Sequence, residues 1–65
     1  MNANKLKAKM VENGYTINKL ANLLGVTPTT VSIKMRDDGF KVVEARAICK
    51  ALGLTMGETH EIFFA

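Results

Sequence analysis

The sequence predicts an all-α fold, a compact bundle of five short helices built around a helix-turn-helix. Three observations predict it. Apolar residues recur at three- and four-residue spacing, the period of one buried helix face. Capping hydroxyls, amides and glycines punctuate the chain at short intervals, where helices start and stop. No alternating apolar–polar run is long enough for a strand.

Asn2 or Asn4 caps a first helix that runs to about Asn13, with Ala3, Leu6 and Met10 on one stripe. Gly14 stops it. Thr16 is a good N-cap for a second helix, Ile17 to Leu24, whose stripe is Ile17, Leu20, Ala21 and Leu24. Gly25 ends that helix, because a left-handed backbone costs glycine little. Val26 plugs the turn. Thr27-Pro28 is the sharpest helix start in the chain, since threonine caps and proline fits the first helical position. The third helix runs to about Arg36, and Asp37-Asp38-Gly39 is a turn signal. Phe40 is an apolar plug before a fourth helix, Val42 to Leu52, with Val42, Ala45, Ile48, Cys49 and Leu52 on one face. Gly53 stops it. Thr55, with Glu58 three residues on, forms a capping box for a fifth helix that carries Ile62, Phe63 and Phe64.

Length and composition narrow the function classes. Sixty-five residues make one small domain, residues 1–65, which buries roughly 60% of its unfolded surface. With 48% hydrophobic and 23% charged residues it is globular rather than disordered. One cysteine cannot close an internal disulfide. No apolar run approaches the roughly 18 residues of a membrane span, and the lysine-bearing N-terminus lacks the apolar stretch of a secretory signal. A binding module suits this length better than a catalytic cleft, so no enzyme is expected.

Charge is uneven along the chain. Residues 1–36 hold six cations against Glu12 alone, a balance of +5. Residues 37–65 hold three cations against five acids, a balance of −2. The basic half is expected to face a polyanion with the acidic half pointing away. Lys5, Lys7 and Lys9 either meet a phosphate strand or form a solvated face.

Helices two and three are joined only by Gly25, Val26 and Thr27, and so short a turn forces a steep crossing. Ala21 is small where the third helix must approach. On a wheel of about 100° per residue, Val31 and Met35 form the core stripe of helix three. Ile33 centres the opposite face, flanked by Thr29, Thr30 and Arg36, with Ser32 and Lys34 at its edges and no acid on it. An isoleucine there costs solvation unless something covers it. The major groove of DNA admits one helix, and thymine methyls offer it apolar contact. Thr29, Thr30 and Ser32 can bond base edges; Lys34 and Arg36 can reach phosphates, or Arg36 a guanine. The first turns of helices two and three point free amides outward near Thr16 and Thr27.

The stretch from Gly14-Tyr15-Thr16-Ile17 through Leu20-Ala21, Gly25-Val26-Thr27-Pro28-Thr29-Thr30-Val31-Ser32 resembles the helix-turn-helix of the lambdoid Cro and repressor family. It is especially similar to small Cro-like regulators of phages of Gram-positive bacteria. The likeness covers residues 14–54, including Ala47-Ile48-Cys49-Lys50-Ala51-Leu52-Gly53-Leu54, and both ends more loosely. It implies a lambda-repressor-like domain that binds operator DNA, usually as a homodimer, and represses transcription in the cytoplasm of a bacterial or phage-infected cell. By motif position, Pro28, Thr29 and Ile33 face bases, with Ser32 and Arg36 beside them. Thr16, Ile17, Thr27, Thr30, Lys34 and Lys41 hold the DNA backbone. Pro28 stands where the family often has a polar base reader, and Ile17 replaces a common polar phosphate contact. Asp37 and Asp38 lie where the chain usually approaches the backbone, with Lys41 to offset them. These departures point to modest affinity or an A·T-rich preference.

The other chemistry-bearing residues read as structural. Met10 and Met35 are core filler. Cys49 lies on an apolar stripe with no histidine near it in sequence. His60 has no second histidine or cysteine pair, so no metal or cofactor is expected. Glu58 and Glu61 are exposed and lack the pocket that acid–base chemistry needs. Ile62, Phe63 and Phe64 cannot all face one side of a helix. At least one phenylalanine is expected to be exposed in the monomer, where it either folds back on the core or packs against a symmetry mate, and a two-fold interface through these three residues is the favoured reading. The rival to DNA binding is a helical protein-binding module, such as an anti-repressor, that uses Pro28, Ile17, Ile33 and the two aspartates as partner contacts.

Overall fold

A computed structural model describes residues 1–37 and 39–64. Asp38 and Ala65 lie outside the described residues, and so does the part of the turn and tail readings that falls on them.

Five helices follow one another without a strand among the described residues: α1 (Ala3–Glu12), α2 (Ile17–Leu24), α3 (Pro28–Arg36), α4 (Val42–Leu52) and α5 (Met56–Thr59). Local caps set most boundaries. The side chain of Asn2 accepts from the Lys5 amide, and Thr16 accepts from Lys19, each satisfying a first-turn donor that the helix leaves open. Thr55 and Glu58 form the expected reciprocal capping box, with bonds of 2.9 and 3.1 Å.

The chain end departs from the expectation of one continuous α5. After Thr59 it widens into a π-helical turn, His60–Phe64. That turn spaces its bonds one residue further apart than an α turn, so neighbouring side chains diverge less. Ile62 and Phe63 both face inward as a result. Ile62 is 1% exposed and joins the core. Phe63 is half-buried and sets its ring edge-on to Phe40, centroids 6.4 Å apart. The expected two-fold contact through Ile62 and Phe63 is thereby corrected. Both are taken up by the chain's own core, and only Phe64 stays largely exposed.

The core is one cluster drawn from every long helix: Leu6 and Met10 of α1, Leu20 and Ala21 of α2, Val31 and Met35 of α3, and Ile48 and Leu52 of α4, closed by Ile62. Each pair sits three or four residues apart, or adjacent on the α2 stripe, as an amphipathic face requires. Val42 is the exception. The wheel assigns it to the α4 core face, but it stands at the helix's first residue and is 67% exposed, beyond the reach of the bundle. α2 packs on α3 and α4, and α1 packs on the terminal turn. The Asn2 amide donates to the Ile62 carbonyl at 2.6 Å, which ties the two ends of the chain together.

Candidate nucleic-acid interface

The turn between α2 and α3 is fixed by backbone geometry. Gly25 has φ +69°, and the Val26 amide bonds the Ala21 carbonyl at 3.0 Å, which closes the helix end. A Cβ at Gly25 would meet nothing within 4 Å, so conformation rather than space demands glycine there. Ala21, 1% exposed, lets α3 approach closely, and Val31 and Met35 seal the contact at 0% and 5% exposure.

Burial of that stripe turns the opposite face outward. Pro28, Thr29, Ser32 and Arg36 are exposed, and Ile33 is 45% exposed at the centre. Thr27 caps α3 by accepting from the Thr30 amide at 3.2 Å, and the two hydroxyl oxygens lie 2.9 Å apart. Thr30 is half-buried, so these two threonines hold the start of the helix in place. Thr16 is exposed and caps α2, while Ile17 is half-buried against the core. Of the expected α3 residues, the structure exposes Pro28, Thr29, Ser32, Ile33 and Arg36 on one face, whereas Thr30 is half-buried at its edge.

Lys34 goes elsewhere. Its ammonium lies 3.0 Å from Glu44 Oε1 and 3.4 Å from the Gly39 carbonyl, with the two side chains only 18% and 15% exposed. Glu44 also accepts from the Lys41 amide at 2.9 Å, which closes the first turn of α4. That amide, and then Lys34, hold the Glu44 carboxyl below its usual range. The charge of Lys34 is thus spent on joining α3 to α4, whereas Lys41 is exposed. Glu44 is the residue that sequence reasoning missed. Its signal was an acid three positions after a helix start, hidden because lysine rather than serine or threonine stands at the cap.

Arg36 forks onto Asp37 with bonds of 3.0 and 3.3 Å, and this contact raises the arginine and lowers the aspartate from their ordinary values. Both stay exposed, so the pair is solvent-screened and open to exchange. It is Arg36, rather than Lys41, that offsets Asp37.

The acidic half does not point away from the basic half. Glu61 pairs with Lys5 at 3.2 Å, and Glu58 and Glu12 both pair with Lys9. Bonding to Glu58 raises Lys9 and lowers Glu58 in turn. The C-terminal glutamates lie on α1 because Ile62 docks the terminal turn there. Among the described residues, every acid has a cationic partner, and the cations left without one are Lys7, Lys19, Lys41, Arg46 and Lys50.

Residues 5–62 match the family model of the Cro/C1-type HTH DNA-binding domain. The chain belongs to that family. No curated protein and no solved structure matches it. In a Cro/C1-type domain α2 and α3 are the two helices of the HTH, and the exposed, acid-free outer face of α3 suits the family's DNA-binding role. DNA is the partner this family implies. Among the described residues no helix is long and apolar enough to cross a membrane, and no group of three or more His, Cys, Asp or Glu is placed to hold a metal ion.

Proposed function

We propose that this Cro/C1-type domain, residues 1–65, is a sequence-specific transcriptional regulator of the Cro-like phage repressor kind, acting in the bacterial cytoplasm. It enters the major groove of operator DNA with α3 and blocks promoter access sterically. Pro28, Thr29, Ser32, Ile33 and Arg36 face bases, and Thr16, Ile17, Thr27, Thr30 and Lys41 follow the backbone. The observation that carries the reading is Ile33, an apolar side chain 45% exposed at the centre of a face of hydroxyls and one cation. Water covers such a face poorly, and thymine methyls cover it well.

A homodimer completes the proposal. One chain is 28 Å in its longest dimension and carries a single α3, whereas half-sites lie about 34 Å apart along the duplex. Two half-sites need two chains. Phe64, 64% exposed, and Met56, 91% exposed, line one hollow with Leu54 and offer the apolar contact.

Binding-site selection from random duplexes tests this reading. The expected product is a palindromic consensus, with Thr29→Ala and Ile33→Ala each costing about 1–3 kcal/mol at that site and relaxing its base preference. A flat response to duplex DNA at low salt would refute it and leave the protein-partner reading.

A further inference from the structure

The Ile17 side chain cannot bond a phosphate, although the α2 start is where the duplex backbone is expected to pass. The structure supplies a cation beside it from another helix. A groove with a free volume of about 340 Å³ runs between α1, α2 and α3, lined by Ala3, Lys7, Ile17, Ser32, Met35 and Arg36. Lys7 also borders an adjoining hollow with Tyr15, Thr16 and Ile17, so it shares both hollows with Ile17.

The three lysines of α1 divide sharply. Lys5 and Lys9 face the C-terminal glutamates and are neutralised by them. Lys7 lies on the other side of the helix, exposed, with no ion pair among the described residues. Successive odd positions on an α-helix are about 200° apart, which sends Lys7 away from Lys5 and Lys9. On the far wall of the groove stands Arg36, whose acidic partner among the described residues is the exposed Asp37. Two cations and Ser32 thus border one concave, otherwise apolar channel that no carboxylate lines among the described residues.

We propose that this groove is a phosphodiester-binding subsite for the DNA backbone, with Lys7 as the phosphate ligand that takes over from the apolar Ile17. The interface then extends beyond the two HTH helices to α1. The proposal rests on the DNA-binding reading above.

The test is the salt dependence of association with a random duplex for the wild-type chain, Lys7→Ala, Lys7→Arg and Lys50→Ala. Lys50→Ala removes the same charge from the exposed side of α4. Each neutralised phosphate contributes about 0.9 to the slope of log affinity against log salt, so Lys7→Ala is expected to lower the slope by about one. Between about 50 and about 200 mM salt the variant then loses about 3.5-fold less affinity than wild type. Lys7→Arg restores the slope, and Lys50→Ala leaves it unchanged. Thermal melts of all four confirm equal folding. A wild-type chain that binds while Lys7→Ala keeps its slope, or changes it no more than Lys50→Ala, overturns the subsite alone. A wild-type chain without salt-dependent association overturns the DNA reading and the subsite with it.

Discussion

Replacing Lys34 by alanine separates two roles that the sequence leaves superposed. If its ammonium met phosphate, the variant would fold normally and bind every duplex more weakly. The structure instead places that ammonium 3.0 Å from Glu44 and 3.4 Å from the Gly39 carbonyl, with both charged side chains more than four-fifths covered. A hydrogen bond to a charged partner under such cover is worth about 1.5–3 kcal/mol. Glu44 keeps its bond to the Lys41 amide in the variant, so the loss belongs near the middle of that range, about 2 kcal/mol. In a domain of this size each kcal/mol moves the melting temperature by about 4–8 °C, so Lys34→Ala is expected to melt about 8–16 °C lower. The salt slope on random duplex should hold within about half a unit, because no phosphate contact is removed. Glu44→Gln keeps the amide bond and discards the charge. A double-mutant cycle between the two positions should therefore return a coupling of about 1 kcal/mol or more. A melting temperature unchanged by Lys34→Ala, together with a slope lowered by about one, would refute the argument and return Lys34 to the DNA surface.

Two further predictions concern the helix contact and the acid limb of stability. Ala21→Leu inserts bulk at a 1% exposed site facing α3 and is expected to cost about 1–3 kcal/mol, read from the denaturant midpoint, while weakening base discrimination as α3 shifts. Glu44 and Glu58 both ionise below their ordinary value of 4.5 in the folded chain, the first through the Lys41 amide and Lys34, the second through Lys9 and the Thr55 amide. Their contribution is complete above that value and is lost as pH falls through the lower folded-state values. Melting temperature should hence stay level near neutrality and fall below about pH 4.5, with a shallower fall in Glu44→Gln and Glu58→Gln. An acid limb identical in those variants and wild type would show that the two contacts do not form.

Much of the candidate site was legible because its causes are local. Thr16, Thr27 and Pro28 act on amides within three residues of themselves, and the bounds of α2 and α3 follow from them. The outward turn of Ile33 follows from the burial of Val31 and Met35 on the same short helix. Val42 shows the limit of this reasoning. A helical wheel gives direction but not reach, and a residue on the correct face at a helix end can stay mostly exposed.

The sequence by itself determined the five helices, the turn at Gly25 and the face of α3 that meets solvent, since periodicity and capping operate over a few residues. Only the tertiary structure decided which charges remain for a partner. Lys5 meets Glu61, Lys9 meets Glu58, and Lys34 meets Glu44 across separations that no local pattern encodes. The tail followed the same logic: Ile62 and Phe63 found their places only once α1 and Phe40 were there to receive them. Ion pairs and apolar contacts between distant segments depend on where whole helices dock, and docking is set by the shared core rather than by neighbours in the chain.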